Sequence, residues 1–323
     1  MDKHITDIDL SLDSEKLTHF NLQRRHLLQA LVALGLSSPL ASNLIHASSK
    51  NLIQKKIPSS GELLPVIGMG TSRTFDALYD DDLLNKLQLV MQSFFDNQGA
   101  LIDSSPMYKT SEEVTGLLLK KAHNSQKLFA ATKVWTYGKQ SGIEQMQASR
   151  ELWGIKRFDL MQIHNLRDWK VHYSTLRTMK KEGKIRYIGV TTSHGRFHDE
   201  LEEVLKNNHF DFLQLSYNIS NRDVERRLLP IAQDKGIAVI ANRPFQRGDL
   251  FQQVRGKKLP DWATDLGISS WGQYFLKFVI SHPAITCAIP ATTKVKHMLD
   301  NMGAQFGVLP EQTQRKEMIK YLA

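Results

Sequence analysis

The sequence predicts an α/β fold over residues 51–323, a (β/α)8 TIM barrel preceded by a short β-hairpin. Three observations predict it. Short apolar strands alternate with amphipathic helices eight times in roughly 260 residues, near the ~250 typical of that barrel. The strands are almost continuously apolar, as expected of strands buried on both faces. No G-x-G-x-x-G follows the first strand, which weighs against the alternative, an open doubly wound sheet.

The elements follow in order. Residues 53–57 and 62–66 flank Pro58-Ser59-Ser60-Gly61, whose turn chemistry predicts the hairpin. Strands are expected at 66–70, 101–103, 128–134, 158–164, 187–191, 212–215, 238–241 and 286–289. Helical apolar spacing marks 83–95, 112–121, 143–153, 173–182, 199–205, 224–233, 271–280 and 295–302. Gly99, Gly183 and Gly236 fall just past helices, where a left-handed cap is expected. A final helix at 312–322 is expected to pack outside the barrel. A modest loop after the seventh strand and no long C-terminal loop predict an open site.

Composition narrows the function classes. A 323-residue chain needs no disulfide or metal staple, and the single cysteine, Cys287, allows no intramolecular disulfide. The first 50 residues hold five bases (Lys3, Lys16, Arg24, Arg25, Lys50) and five acids (Asp2, Asp7, Asp9, Asp13, Glu15). The net charge of +9 therefore lies in residues 51–323. That excess suits a phosphorylated cofactor or an acidic substrate, or serves only as a soluble lysine-rich surface. Metal binding is not expected, since H-E-x-x-H and C-x-x-C are both missing from the sequence. Nucleic acid is not expected either, because the bases are scattered rather than clustered with aromatics.

Residues 1–50 form a separate unit. An arginine pair, Arg24-Arg25, directly precedes an apolar run from Leu27 through Leu36, with Pro39 at the break. The run is too short for a spanning helix, which needs ~20 residues, so stable membrane insertion is not expected. Gln23-Arg24-Arg25-His26-Leu27-Leu28-Gln29 resembles a bacterial twin-arginine export signal, with Gln29 where a lysine often stands. The resemblance implies the twin-arginine machinery as a partner and an exported or periplasmic protein. The alternative is an N-terminal helix of a cytoplasmic one. Cleavage after Ala47 would leave Ile45 three positions from the cut, short of a small-x-small site.

Four titratable residues fall at or just after successive strand ends: Asp103 on the second, Tyr108 in the following loop, Lys133 on the third, His164 on the fourth. The C-terminal strand ends of a barrel form its active-site mouth. Each residue alone has an ordinary structural explanation; their joint placement on adjacent strands points to catalysis.

These residues sit in recognisable motifs. Asp103-Ser104-Ser105-Pro106-Met107-Tyr108, followed by Ser111-Glu112, resembles the aldo/keto reductase signature, with Lys109 where a glycine is usual. Thr132-Lys133-Val134-Trp135, the run from Asp159 to His164, the run from Gly183 to Val190, Gln214-Leu215-Ser216-Tyr217-Asn218 and Ile289-Pro290-Ala291-Thr292-Thr293 with Asp300-Asn301 resemble the family's later motifs. The likeness covers about residues 57–301. It implies reduction of a small carbonyl substrate, an aldehyde or ketone, by hydride from NADP(H), with NAD(H) as the alternative.

The implied roles follow. Tyr108 is the proton donor. Lys133 lowers its pKa and Asp103 holds Lys133. His164 orients the carbonyl oxygen. Gln214 and Thr191 bind the nicotinamide carboxamide, with Asn165 at the pocket floor and Thr192 where an asparagine is common. Arg243 and Arg247 reach the pyrophosphate. Thr292 and Lys294 open the last barrel helix, Lys294 with His297 facing a 2′-phosphate, and Asp300 and Asn301 reach the adenine. Trp135 lines the substrate pocket. Asn242 stands where many relatives stack an aromatic on the nicotinamide. That departure keeps a second reading open, a nucleotide-binding regulatory or partner-binding barrel with little turnover.

Overall fold

Eight parallel strands close on themselves in the computed structural model, which describes residues 51–322. The export signal expected around Arg24 and Arg25 lies outside the described residues. Two short antiparallel strands come first, β1 (Gln54–Lys56) and β2 (Leu63–Pro65). The barrel strands are β3 (Met69–Gly70), β4 (Leu101–Asp103), β5 (Phe129–Val134) and β6 (Phe158–Ile163). They continue with β7 (Ile185–Thr191), β8 (Phe212–Ser216), β9 (Ala238–Asn242) and β10 (Ile285–Ala288). Neighbours in sequence pair in parallel from β3 to β10. The ring closes through the Gly68 N–H to the Ala288 carbonyl at 2.8 Å and the Ala288 N–H to the Val66 carbonyl at 2.9 Å.

The helices are α1 (Asp81–Asp96), α2 (Ser111–Leu119), α3 (Lys139–Trp153), α4 (Trp169–Lys181) and α5 (His198–Asn207). Then come α6 (Leu228–Asp234), α7 (Asp249–Gln253), α8 (Trp271–Ser281), α9 (Val295–Gly303) and α10 (Gln312–Leu322). In α1 the N-cap Asp80 accepts from the Leu83 N–H at 2.9 Å, and Leu87, Val90, Met91, Phe94 and Phe95 form its buried face. The other helices follow the same logic and cover the strands, so the core has two shells. One lies between strands and helices. The other fills the barrel with Leu101, Phe129, Leu160, Tyr187 and Phe212, among others.

The hairpin plugs the end of the barrel where the strands begin. Ile57 and Leu64 are buried and join the interior shell. Lys55 fastens the hairpin from beneath, donating to the carbonyls of Ile280, His282 and Ile285 at 2.6–2.8 Å. Burial, aided by Arg315, lowers that ammonium to about 8. Across the outside, Arg315 of α10 donates to Tyr217 Oη and Ser281 Oγ, both at 2.6 Å, and stacks 4.1 Å above Phe278.

Three expectations need correcting. Gly99 does not take the left-handed cap of α1. Gln98 does, at φ 66°, and Gly99 is needed because a Cβ there would sit 2.3 Å from the Phe94 ring. Gly183 and Gly236 are left-handed as expected. The helix expected over 224–233 is broken into a 3-10 turn (Asp223–Arg226) and α6, because Pro230 cannot donate and its ring crowds the carbonyl four residues back. The loop after β9 is not modest. Residues 243–270 carry α7 and the 3-10 turns Gln246–Gly248 and Asp261–Leu266. Elements this short have too few turns to express a helical apolar period.

Helices α2 and α3 pack closest at Gly116, where an added Cβ would stand 1.8 Å from the Leu152 carbonyl oxygen. Backbone cannot step aside as a flexible side chain can. Gly116→Ala is expected to destabilise the barrel by about 1–3 kcal/mol or more, despite alanine's better helix propensity. Thermal denaturation checks this, and an unchanged midpoint would contradict the packing argument.

Candidate functional site

Four strands converge on one carboxylate. Asp103, at the end of β4, accepts from Lys133 Nζ of β5 through Oδ2 at 2.6 Å. Its Oδ1 accepts from Gln162 of β6 and Gln214 of β8, each at 2.9 Å. Lys133 also donates to the Ser104 carbonyl at 2.6 Å. Parallel register makes this possible: Lys133 sits opposite Gln162, and Thr191 opposite Gln214. Gly189 of β7 clears the way, since a Cβ there would meet Gln162 Cγ at 2.7 Å. Lys133 is completely buried. Burial pulls its pKa down, but Asp103 and then Tyr108 outweigh burial and hold the ammonium above its ordinary value.

Tyr108 sits on a tight turn after β4, its N–H on the Ser105 carbonyl at 2.9 Å. Lys133 Nζ lies 5.1 Å from its ring centroid. The expected lowering of the Tyr108 pKa is not found. Burial raises it, Lys133 opposes, and Asp103 adds to the rise, so the phenol ends above its ordinary value. The physical reason is burial, which outweighs the Lys133 field that Asp103 in part cancels. The hydroxyl thus keeps its proton at neutral pH.

His164 opens a 3-10 turn directly after β6 and meets the Tyr108 ring edge-on, centroids 5.9 Å apart. Its Nδ1 lies 2.9 Å from Ser105 Oγ. That oxygen already accepts the Met107 N–H at 3.2 Å, so its own hydrogen is free for Nδ1. The neutral ring then carries its proton on Nε2. Burial, then Lys133 and Arg167, hold the imidazole well below its usual pKa.

A cavity of about 1370 Å³ opens above these groups, lined by Asp103, Tyr108 and His164. It exceeds the ~300–1,000 Å³ of an ordinary small-ligand pocket, leaving room for a large ligand beside a small one. Asn165, Thr191, Gln214, Arg243, Arg247 and Thr292 also line it, as do His297, Asp300 and Asn301. Gln214 and Thr191 are partly engaged elsewhere, Gln214 on Asp103 and Thr191 Oγ1 on the Asn165 N–H at 3.1 Å. Asp300 accepts from Ser270 at 2.7 Å and Gln273 at 3.0 Å.

Two expected residues stand outside the cavity wall. Trp135 neighbours His164, ring centroids 6.4 Å apart, with Arg167 stacked 4.1 Å over it. Lys294 is the exposed, extended N-cap of α9, while Lys296 faces the cavity. On a helix Lys296 and Asp300, or His297 and Asn301, share a face at i,i+4 spacing, and that signal identifies Lys296. Also missed were Ser105, whose Oγ lies against His164 Nδ1, and Gln162, which shares an otherwise apolar strand with Asp159. Arg73 and Arg196, both on the wall, were missed as well.

Two buried polar atoms on the wall lack partners, Thr192 Oγ1 and Asn301 Nδ2. An unpaired buried group is costly, so both sites fit an occupant with polar edges. With Arg196, Arg243, Arg247 and Lys296 on the same wall, the chemistry fits a phosphorylated dinucleotide. Among the described residues no cluster of three or more His, Cys, Asp or Glu could hold a metal.

Comparison with known proteins agrees with this geometry. The profile of the Aldo/keto reductase family matches residues 66–317. The chain is 28% identical over 261 residues to the methylglyoxal reductase YeaE of Escherichia coli (strain K12), covering 77% of this chain and 88% of that protein. It is 28% identical over 195 residues to the NADH-specific methylglyoxal reductase of the same organism, 50% of this chain and 57% of that one. Among solved structures, an aldo-keto reductase from Klebsiella pneumoniae in complex with NADPH superposes with a TM-score of 0.70 at 20% identity. It covers 84% of this chain and 96% of that one.

The His164 environment makes a pH prediction. Unfolded histidine takes up a proton near ~6.5, whereas folded His164 resists protonation. The unfolded chain therefore binds more protons as pH falls through that value, and His164's share of stability, present above it, is lost below. The imidazole is expected to remain neutral at pH 6.5, read from nitrogen chemical shifts of labelled histidine. Half-protonation at that pH would remove the neutral-donor assignment.

Proposed function

Since the chain belongs to the aldo/keto reductase family and is an NAD(P)H-dependent oxidoreductase, we propose that it reduces an aldehyde or ketone to an alcohol with NADPH. The observation that carries this reading is the meeting of a protonated Tyr108 and a neutral His164 over the buried Asp103–Lys133 pair. A bound nicotinamide supplies the hydride. The protein's part is to manage charge on the carbonyl oxygen. The Nε2–H of His164 points a substrate oxygen toward Tyr108, and the Tyr108 hydroxyl delivers the proton. Lys133 stabilises the phenolate that remains, and Asp103, gripped by Gln162 and Gln214, keeps Lys133 in place.

For the cofactor, Thr192, Thr191 and Gln214 suit the carboxamide, Arg243 and Arg247 the pyrophosphate, and Asn301 the adenine. Lys296 and His297 suit a 2′-phosphate, the feature that favours NADPH over NADH. The reading with little turnover rests on Asn242. Its Oδ1 accepts from Ser216 at 2.7 Å and its amide lies 3.3 Å from the Thr192 carbonyl, fixing an amide where an aromatic would stack.

Residues 1–50 are proposed as a twin-arginine export leader ahead of a separately folding barrel. Among the described residues no helix is long and apolar enough to cross a membrane.

Tyr108→Phe is expected to lower carbonyl reduction by about 10²–10⁴-fold while leaving NADPH affinity almost unchanged. Steady-state kinetics over a carbonyl panel with fluorescence titration by NADPH test this; near-normal turnover would overturn the assignment. Replacing both Arg24 and Arg25 by lysine is expected to trap the full-length chain in the cytoplasm. Cell fractionation decides it, and wild-type protein found uncleaved in the cytoplasm would end the export reading.

A further inference from the structure

The cavity wall carries four guanidiniums, Arg73, Arg196, Arg243 and Arg247. None makes an ion pair with a carboxylate of the described residues. Three of the four follow β7 or β9, on the side assigned above to the cofactor's phosphates. Arg73 stands apart. It follows β3, which pairs with β4, the strand leading to Asp103 and Tyr108.

The turn that presents Arg73 is built tightly. Thr71 donates through its N–H and Oγ1 to the Asp103 carbonyl, both at 3.1 Å, and Ser104 Oγ lies within hydrogen-bond distance of that Oγ1 at 2.8 Å. The N–H groups of Thr74 and Phe75 return to the Thr71 carbonyl, and Phe75 is fully buried. Arg73 itself has φ 66°, a left-handed conformation that non-glycine residues adopt at a cost and that gathers at ligand sites. Its one acidic neighbour in the turn is already taken: Asp76 is bound by Lys109 Nζ at 2.7 Å and Thr110 Oγ1 at 2.9 Å. The turn packs against the loop that carries Tyr108, through Thr71 on the Asp103 carbonyl and Asp76 on Lys109 and Thr110. Burial, Arg247 and then Arg73 push the half-buried Arg243 guanidinium down to about 10, and Arg243 also senses Tyr108. An exposed cation with no carboxylate partner among the described residues therefore lines the same cavity as the proton donor.

We infer that Arg73 binds a carboxylate of the substrate, so that the preferred substrate is an oxo acid, its carboxylate a few atoms from the reducible carbonyl. A planar guanidinium matches a carboxylate through two parallel hydrogen bonds, and one positive charge balances one negative. A phosphate dianion would leave a charge over. This inference rests on the reductase reading of the same site.

The test compares succinic semialdehyde with its methyl ester, which has the same reach without the charge, by NADPH oxidation. Wild-type protein should prefer the acid. In Arg73→Gln the loss of kcat/KM for the acid should exceed that for the ester by about 10–100-fold, with NADPH affinity held. Arg73→Lys should recover part of the preference. Equal losses for both substrates, no loss, or weakened NADPH binding would each overturn the assignment. A second measurement needs no turnover: calorimetric binding of succinate, which cannot be reduced, to the NADP+-loaded protein. Succinate binding that disappears in Arg73→Gln supports the anion site even if no carbonyl is reduced, in which case the reductase reading alone fails. Succinate bound equally by both proteins, or by neither, overturns the anion site.

Discussion

The buried pair Asp103–Lys133 is the constraint from which the rest of the site follows. Neither group touches solvent appreciably. Moving two charges out of water costs several kcal/mol per ion, and a well-packed apolar pair would often serve stability as well or better. The pair survives only because its partners are complete. Asp103 has three donors and Lys133 has two acceptors. Those partners come from β4, β5, β6 and β8, so the pair ties half the barrel into one register. Its position under Tyr108 is what turns a structural expense into a chemical asset.

The neighbouring groups are set first by burial and then by the field of this pair. Lys133 repels a proton from His164 and resists loss of one from itself. Tyr108, held above its usual pKa by burial and by Asp103, stays protonated. A neutral imidazole donor and a protonated phenol are both ready to give a hydrogen to an oxygen that gains negative charge. The arrangement suits reduction near neutral pH, where the proton must leave the protein. The reverse reaction would need the phenolate, which this environment disfavours.

Much of this was legible in the sequence because the information is local. Asp103, Lys133 and His164 each close a short apolar strand, and barrel topology alone sends strand ends to one mouth. The hairpin and α10 were equally local, written in turn residues and apolar period. What the sequence hid depends on geometry between elements. Gln162 and Gly189 belong to different strands, and only register shows that one makes room for the other. Lys294 and Lys296 are two residues apart, and only the start of α9 decides which side chain faces inward. Gln98 took the left-handed position expected for Gly99 because the helix caps one residue earlier, at Asn97, and the N–H groups of Gln98 and Gly99 return to the Phe95 and Phe94 carbonyls. The sign of the Tyr108 shift required knowing how buried the phenol is and how near Asp103 lies, neither of which a motif reports.

The hairpin beneath the barrel has a consequence for traffic. With Ile57 and Leu64 seated in the interior shell and Lys55 fastened to three carbonyls, the strands' starting end is sealed. Phe129, Tyr187 and Phe212 fill the bore above that plug. Among the described residues, ligands therefore reach the cavity from the end where the strands finish. Two ligands sharing it meet at that one end of the barrel. Release of whichever molecule lies deeper can then pace the whole cycle, whatever the speed of the chemistry at Tyr108.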